Sequence, residues 1–206
     1  MSERSIRRGN PRIRQEVAAE AARIIATEGQ KSYLAAKQKA AQRLGASRGG
    51  LPTNAEIERA LKDWQQLYGG EEHAVRLRSM RVAALEAMTF LESFQPRLVG
   101  PVLEGTADEY SRICLHLFTD DPDAVVRFLM EAGIDFSQEQ RRIRWHDGEQ
   151  REIDVLVVEA GEDIVEMSVM VGRDAVHPPP SPIDGQPMRR MARTELKTLI
   201  ETEQAT

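Results

Sequence analysis

Five residues in this chain have types and spacing that could do chemistry together: Gly100, Arg112, Cys114, His116 and Asp154. Gly100-Pro101 reads as a turn after Leu98-Val99, and the run at 113–118 reads Ile-Cys-Leu-His-Leu-Phe. Successive side chains of a strand point to opposite faces, so Arg112, Cys114 and His116 share one face and Ile113, Leu115 and Leu117 the other. The apolar face suits a core. The opposite face carries a cation, a thiol and an imidazole. A guanidinium held beside a glycine turn can bind phosphate without a metal; it can equally form an ion pair with Asp154 across neighbouring strands. The thiol reads as a small buried group, or as a reactive one if Arg112 lowers its pKa. One Cys and one His fall short of the four ligands of a zinc site, which leaves His116 as a ligand-facing or simply satisfied imidazole.

The stretch GPVLEGTADEYSRICLHLF, residues 100–118, resembles the signature of the nucleotidyltransferase superfamily, the polymerase-β-like fold. Gly100 stands at the signature glycine, and Gly105-Thr106-Ala107 falls where many members also have Gly-Thr-Ala. Ser111 stands just before the place of the acidic pair, and Ile153-Asp154-Val155 looks like the third acidic strand. The departures lie in the chemistry: Pro101 replaces the expected serine, while Arg112 and Cys114 replace the two acids. Nucleotidyl transfer on this fold needs two metal ions held by clustered carboxylates. Magnesium wants hard oxygen ligands, a thiol is too soft, and a guanidinium repels the cation. Pro101 has no N–H to offer a phosphate. The resemblance therefore implies a degenerate, catalytically inactive protein with no metal and no cofactor, binding a nucleotide, RNA or a protein partner through Gly100, Arg112, Cys114, His116 and Asp154. It also implies that Asp154 lies beside the 112–114 segment. The alternative keeps activity by relocating carboxylates to Glu104, Asp108 and Glu109.

A second alternative comes from charge. Residues 1–50 carry 11 Lys and Arg against 4 Asp and Glu, a balance of +7, and the remainder carries 17 against 29, a balance of −12. A basic head on an acidic body suits an anionic partner or a solvated helical surface. With two helices joined by a glycine turn, the head loosely resembles the start of a helix-turn-helix regulator, in which Lys37, Lys39 and Arg43 would face nucleic-acid phosphate and the rest would sense a ligand.

These residues need elements to position them. Ile13, Val17, Ala21, Ile24 and Ile25 fall at helical spacing before Gly29, and a helix over 32–44 should turn Leu34, Ala41 and Leu44 inward. Residues 1–10 read as a flexible arm and Gly49-Gly50 as a loop. Thr53 and Glu56 have capping-box spacing, ahead of a helix with Ile57, Leu61, Trp64, Leu67 and Tyr68 on one face, and a longer helix covers 71–94. After Pro96 the period changes. Strands are expected at 97–103, 113–118, 142–146, 152–159 and 164–171, with a helix begun by Asp121-Pro122, a proline-rich loop at 176–187 and a closing helix at 189–203. The chain thus reads as α+β: a helical region over 1–95, then a small mixed-sheet domain over 96–206. The 41% hydrophobic content supports a real core, and no run is long and apolar enough for a membrane span. The single cysteine and the charged N-terminus point to a reducing, cytoplasmic setting. No phosphate-binding G-x-x-x-x-G-K-[ST] loop, no G-x-S-x-G elbow and no H-E-x-x-H pair occurs in the sequence.

Overall fold

The computed structural model describes residues 11–46 and 51–204, so the expected arm at 1–10 and the Gly49-Gly50 loop lie outside it. The fold is α+β, with helices first and a six-stranded mixed sheet after them. The chain forms two compact units, Met1–His73 with Pro182–Asp184, and Ala74–Ser181 with Gly185–Thr206.

The first unit is built on α1 (Pro11–Glu28), α2 (Tyr33–Arg43) and α3 (Asn54–Trp64). Pro11 occupies the first helical position, where its missing N–H costs nothing. Ser32 caps α2, its hydroxyl accepting from the Ala35 N–H at 3.3 Å. Thr53 and Glu56 form the expected capping box at α3. The core is made by Val17, Ala21 and Ile24 of α1, Ala36 and Ala40 of α2 and Ile57 of α3. Leu34 and Leu44, expected inward, are exposed; α2 turns an alanine stripe to its neighbours, which lets the backbones approach closely. Ile13 is exposed as well. Leu67 and Tyr68 also miss the core. After Trp64 the backbone passes into one π-helical turn, Gln65–Gly69, and its extra residue rotates later side chains off the face set by Ile57 and Leu61.

The second unit starts with α4 (Gly70–Phe90), whose Met80, Ala84 and Met88 are fully buried in the core of the sheet. The unit begins within α4: from Ala74 onward the helix belongs with the sheet. The strands are β1 (Arg97–Val99), β2 (Ile113–Thr119), β3 (Ser137–Arg144), β4 (Gln150–Ala160), β5 (Asp163–Val171) and β6 (Met191–Ala192), in the order β3-β4-β5-β2-β1-β6. Only β2 and β5 run parallel; the other pairs are antiparallel. One face is covered by apolar side chains of α4, of α6 (Ala124–Glu131) and of α8 (Arg193–Gln204), packed on Ile113, Leu115, Leu117, Leu156, Val165, Met167 and Val169. The other face carries a smaller cluster of Trp145, Ile153 and Met170, with Phe118 and Ile143 against it. The 176–187 segment is the expected irregular loop, preceded by the short α7 (Arg173–Val176).

The first strand is shorter than its apolar sequence suggests. Gly100 takes φ +72° and ψ −154°, which ends β1 at Val99, and Pro101–Glu104 forms one helical turn, α5, instead of continuing as a strand to residue 103. The Asp121-Pro122 start lies in a turn ahead of α6, with the Asp121 carboxylate accepting from the Asp123 N–H at 3.0 Å.

Candidate functional site

The alternation expected in β2 holds: Ile113, Leu115 and Leu117 are fully buried against the helices, so Arg112, Cys114 and His116 share the opposite face. The Val99↔Cys114 register brings the Gly100 turn alongside. A Cβ built on Gly100 would lie 3.6 Å from the Cys114 Cβ and 3.7 Å from its Sγ, so the turn faces the thiol with room for about a methyl group between them.

Asp154 is not part of this group. β5 lies between β2 and β4, so Asp154 is two strands away from the 112–114 segment. It is also on the wrong face. Val155 is opposite Ser168, which is opposite His116, while Leu156 faces Met167 in the helix-covered core; alternation puts Asp154 with Leu156. Its carboxylate accepts from Gln140 Nε2 at 3.1 Å and Gln138 Nε2 at 3.4 Å on β3. The expected Arg112–Asp154 ion pair therefore does not form.

The acid that does face this group is Glu166, opposite Cys114 in the parallel β2–β5 register. Its buried carboxylate accepts from Arg112 Nη1 at 3.0 Å and Arg141 Nη2 at 2.7 Å, and Arg141 Nη1 donates to its other oxygen. Burial pushes this carboxyl upward, but the hydrogen bonds and charges of Arg141 and Arg112 outweigh it and hold the group below its ordinary range. The bonds that Arg141 donates to Glu166 in turn raise its own pKa further. Arg141 also pairs with Glu139. Two guanidiniums thus share one buried carboxylate, and the Arg112 Nε, itself buried, has no hydrogen-bond partner among the described residues. Buried orphan donors are rare in folded proteins, and each calls for an acceptor.

Cys114 and His116 are both held in their neutral forms. Burial and the nearby Glu166 charge push the thiol up to about 12; the two arginines oppose this and lose, so the thiolate that nucleophilic chemistry needs is suppressed. His116 is buried and accepts on Nδ1 from Arg190 Nε at 3.1 Å. Burial, then the Arg190 charge, lowers its pKa to about 3. Arg190 gives its remaining donors to the carbonyls of Ala175 and of Asp174, the latter at 3.0 Å, and lies 4.8 Å from the Phe118 ring centroid. Burial and the neighbouring Arg97 lower its pKa to about 10. Through these bonds Arg190 ties the segment around α7 to the sheet, a role that the sequence reading did not assign to it.

The loop acids are engaged elsewhere. Asp108 accepts from Ser111 Oγ at 2.7 Å and from the Tyr110 N–H at 3.0 Å, and Glu104 pairs with Arg189 at 3.3 Å. Among the described residues no group of three or more His, Cys, Asp or Glu side chains converges to hold a metal ion.

In the first unit, Lys37 donates to the Pro52 carbonyl at 2.9 Å and to Asn54 Oδ1 at 2.8 Å. Lys39 and Arg43 turn the other way, onto Glu28 at 2.6 and 2.7 Å, and Arg43 reaches Glu20 at 3.0 Å. The three cations do not form one stripe, and each has partners within the unit. No described helix is long and apolar enough to cross a membrane.

Comparison with known proteins adds no relative to this geometry. No protein-family model matches the chain, no curated protein matches its sequence, and no solved structure matches its fold.

Proposed function

We propose that the sheet unit is a catalytically silent domain that binds the phosphate of a nucleotide without a metal, at the Arg112–Arg141–Glu166 group beside the Gly100 turn; with Asp154 two strands away on the opposite face, the reading does not rest on the nucleotidyltransferase resemblance. The observation that carries this reading is the convergence of two partly exposed arginines, Arg112 and Arg141, on one buried carboxylate, Glu166. The Arg112 guanidinium is bonded to Glu166 through one edge only, and the side chain remains about one-third exposed, so an anion can approach from solvent. A phosphate oxygen approaching from solvent would accept from the accessible donors of these two guanidiniums.

The same group argues against metal chemistry. With Glu166 as the acid on this face, the trio that should hold two cations reads Arg112, Cys114 and Glu166, and Glu166 is already neutralised. A fixed guanidinium close to a divalent ion repels it by several kcal/mol at moderate effective dielectric, and a neutral thiol offers no hard oxygen.

The test is calorimetric titration of the full chain with ATP in chelator at low salt. Binding should be measurable, should fall at least tenfold in Arg112→Ala, and should be partly restored in Arg112→Lys, which keeps the charge without the planar fork. No binding at millimolar nucleotide, or binding that Arg112→Ala leaves unchanged, overturns the reading. So does magnesium-dependent transfer of label from a nucleoside triphosphate.

A further inference from the structure

The helix α4 has apolar residues on two faces, and only one of them enters the core; on the other, Phe90 rests against Phe128, ring centroids 5.0 Å apart. Met80, Ala84 and Met88 enter the core, yet Val75, Val82 and Phe90 are 62%, 39% and 44% exposed. At 100° per residue, Val75, Ser79, Val82, Glu86 and Phe90 line a single stripe about four turns long. Beside its C-terminal half runs an apolar groove of about 380 Å³, lined by Ala83, Glu86, Phe90, Leu129, Val158 and Met167 among others.

The two charges that border this stripe settle what it fits. Arg78 lies four residues before Val82 and Glu86 four residues after it. Neither has an ion-pair or hydrogen-bond partner among the described residues, whereas on the same helix Arg76 pairs with Asp163 and Arg81 with Glu203. They cannot pair with each other: eight residues of helix separate them by about 12 Å along the axis. A second copy of the same helix, antiparallel and related by a twofold axis at Val82, solves this. Val82 then meets Val82, and Arg78 of each copy meets Glu86 of the other, twice. A twofold interface requires this self-complementarity: residue i contacts j and j contacts i.

We propose that α4 is the seam of an antiparallel homodimer whose axis passes at Val82, with Phe90 and the adjoining groove covered at its two ends. Four turns of helix bury less than the roughly 1,600 Å² of a standard interface, so the dimer is reversible and concentration-dependent.

Sedimentation equilibrium of the full chain, at roughly 1 to 100 µM and low salt, reads the association directly. The unmodified protein should show a monomer–dimer equilibrium in that range. Val82→Glu, at an exposed position that leaves the fold intact by circular dichroism, should leave only monomer. Arg78→Glu alone and Glu86→Arg alone should each weaken dimerisation about tenfold, by setting like charges opposite each other. The double variant Arg78→Glu with Glu86→Arg should return the dissociation constant to within about threefold of the starting value, because the twofold swaps both partners together. A monomer throughout the range overturns the proposal. So does a dimer indifferent to Val82→Glu, or a double variant weaker than either single change.

Discussion

Replacing Glu166 by glutamine removes the negative charge that Arg112 and Arg141 share. The cost can be worked from the geometry. The carboxylate is about 90% buried and accepts three guanidinium hydrogen bonds, from a residue just before β2 and from β3. Deleting one partner of a fully buried ion pair costs about 3–5 kcal/mol, mostly as the penalty of the charge left behind. Here Arg112 and Arg141 remain 32% and 40% exposed, so water screens part of that charge. The glutamine carbonyl keeps one acceptor, and Glu139 still opposes Arg141. The expected loss is therefore about 2 kcal/mol, or roughly 6 °C in midpoint for a unit of this size. Thermal and denaturant unfolding at neutral pH and low salt would measure it. Inorganic phosphate adds a second readout. It binds the folded form by meeting the exposed guanidiniums, so it should raise the midpoint of Glu166→Gln more than that of the unmodified protein. A loss under about 0.5 kcal/mol would place the group among surface pairs that contribute little and would refute the account of a buried, shared carboxylate. Equal stabilisation of both forms by phosphate would refute the claim that the arginines are what an anion meets.

The first unit should lose stability in acid. Hydrogen bonds from Arg23 to Glu20, and from Arg43 and Lys39 to Glu28, bring both carboxyls to about 2. A carboxyl whose folded pKa lies below its unfolded value contributes stability that is fully present above the unfolded value and lost as pH falls through the folded one. The helical signal of the unit should therefore become easier to melt between about pH 4.5 and pH 2, with high salt flattening the trend; a pH-independent midpoint across that window would show the network to be inert. Gly100→Ala should cost about 1–3 kcal/mol in denaturant unfolding. The added methyl meets Cys114 only at ordinary contact distance, so the penalty comes from φ +72° with ψ −154°, a conformation open to glycine alone; a loss below about 0.5 kcal/mol would mean that the turn relaxes without strain.

Much of the fold is legible where side-chain period and punctuation agree. The alternation at 113–118, the capping box at Thr53 and the glycine after α1 all match observed elements. Several misreadings share one physical cause: hydropathy suggests one arrangement where backbone geometry decides another. Alanine is a weak hydrophobic signal but the right size for close helix packing, so the α2 stripe of Ala36 and Ala40 is hidden behind the louder Leu34 and Leu44. The π-helical turn at Gln65–Gly69 has no residue signature, yet it decides which way Leu67 and Tyr68 face. At residues 101–103 the apolar run suits a strand, and only the positive φ of Gly100, together with a proline at the first helical position, makes it a helical turn.

The site shows the same split between what alternation gives and what topology adds. Which residues share a face within β2 follows from period alone. Which acid reaches that face depends on strand order, and a carboxylate displaced by two strands, about 10 Å, and pointing through the other side of the sheet cannot substitute for one that is adjacent. Asp154 is attractive as a site residue because it stands in an apolar run, like a signature acid. Yet the sequence also holds the cue to Glu166. Val165, Met167 and Val169 repeat the phase of Ile113, Leu115 and Leu117, while Glu166 and Ser168 repeat that of Cys114 and His116. Two strands with one apolar face each are most stable side by side with those faces under the same helices, and the parallel register does pair Ile113 with Val165 and Cys114 with Glu166. The β4 run at 153–158 is apolar on both faces, so it fits next to almost any strand and carries no such phase. The strand whose polar residues match those of β2, rather than the strand with the most conspicuous aspartate, is the one that supplies the acid of this site.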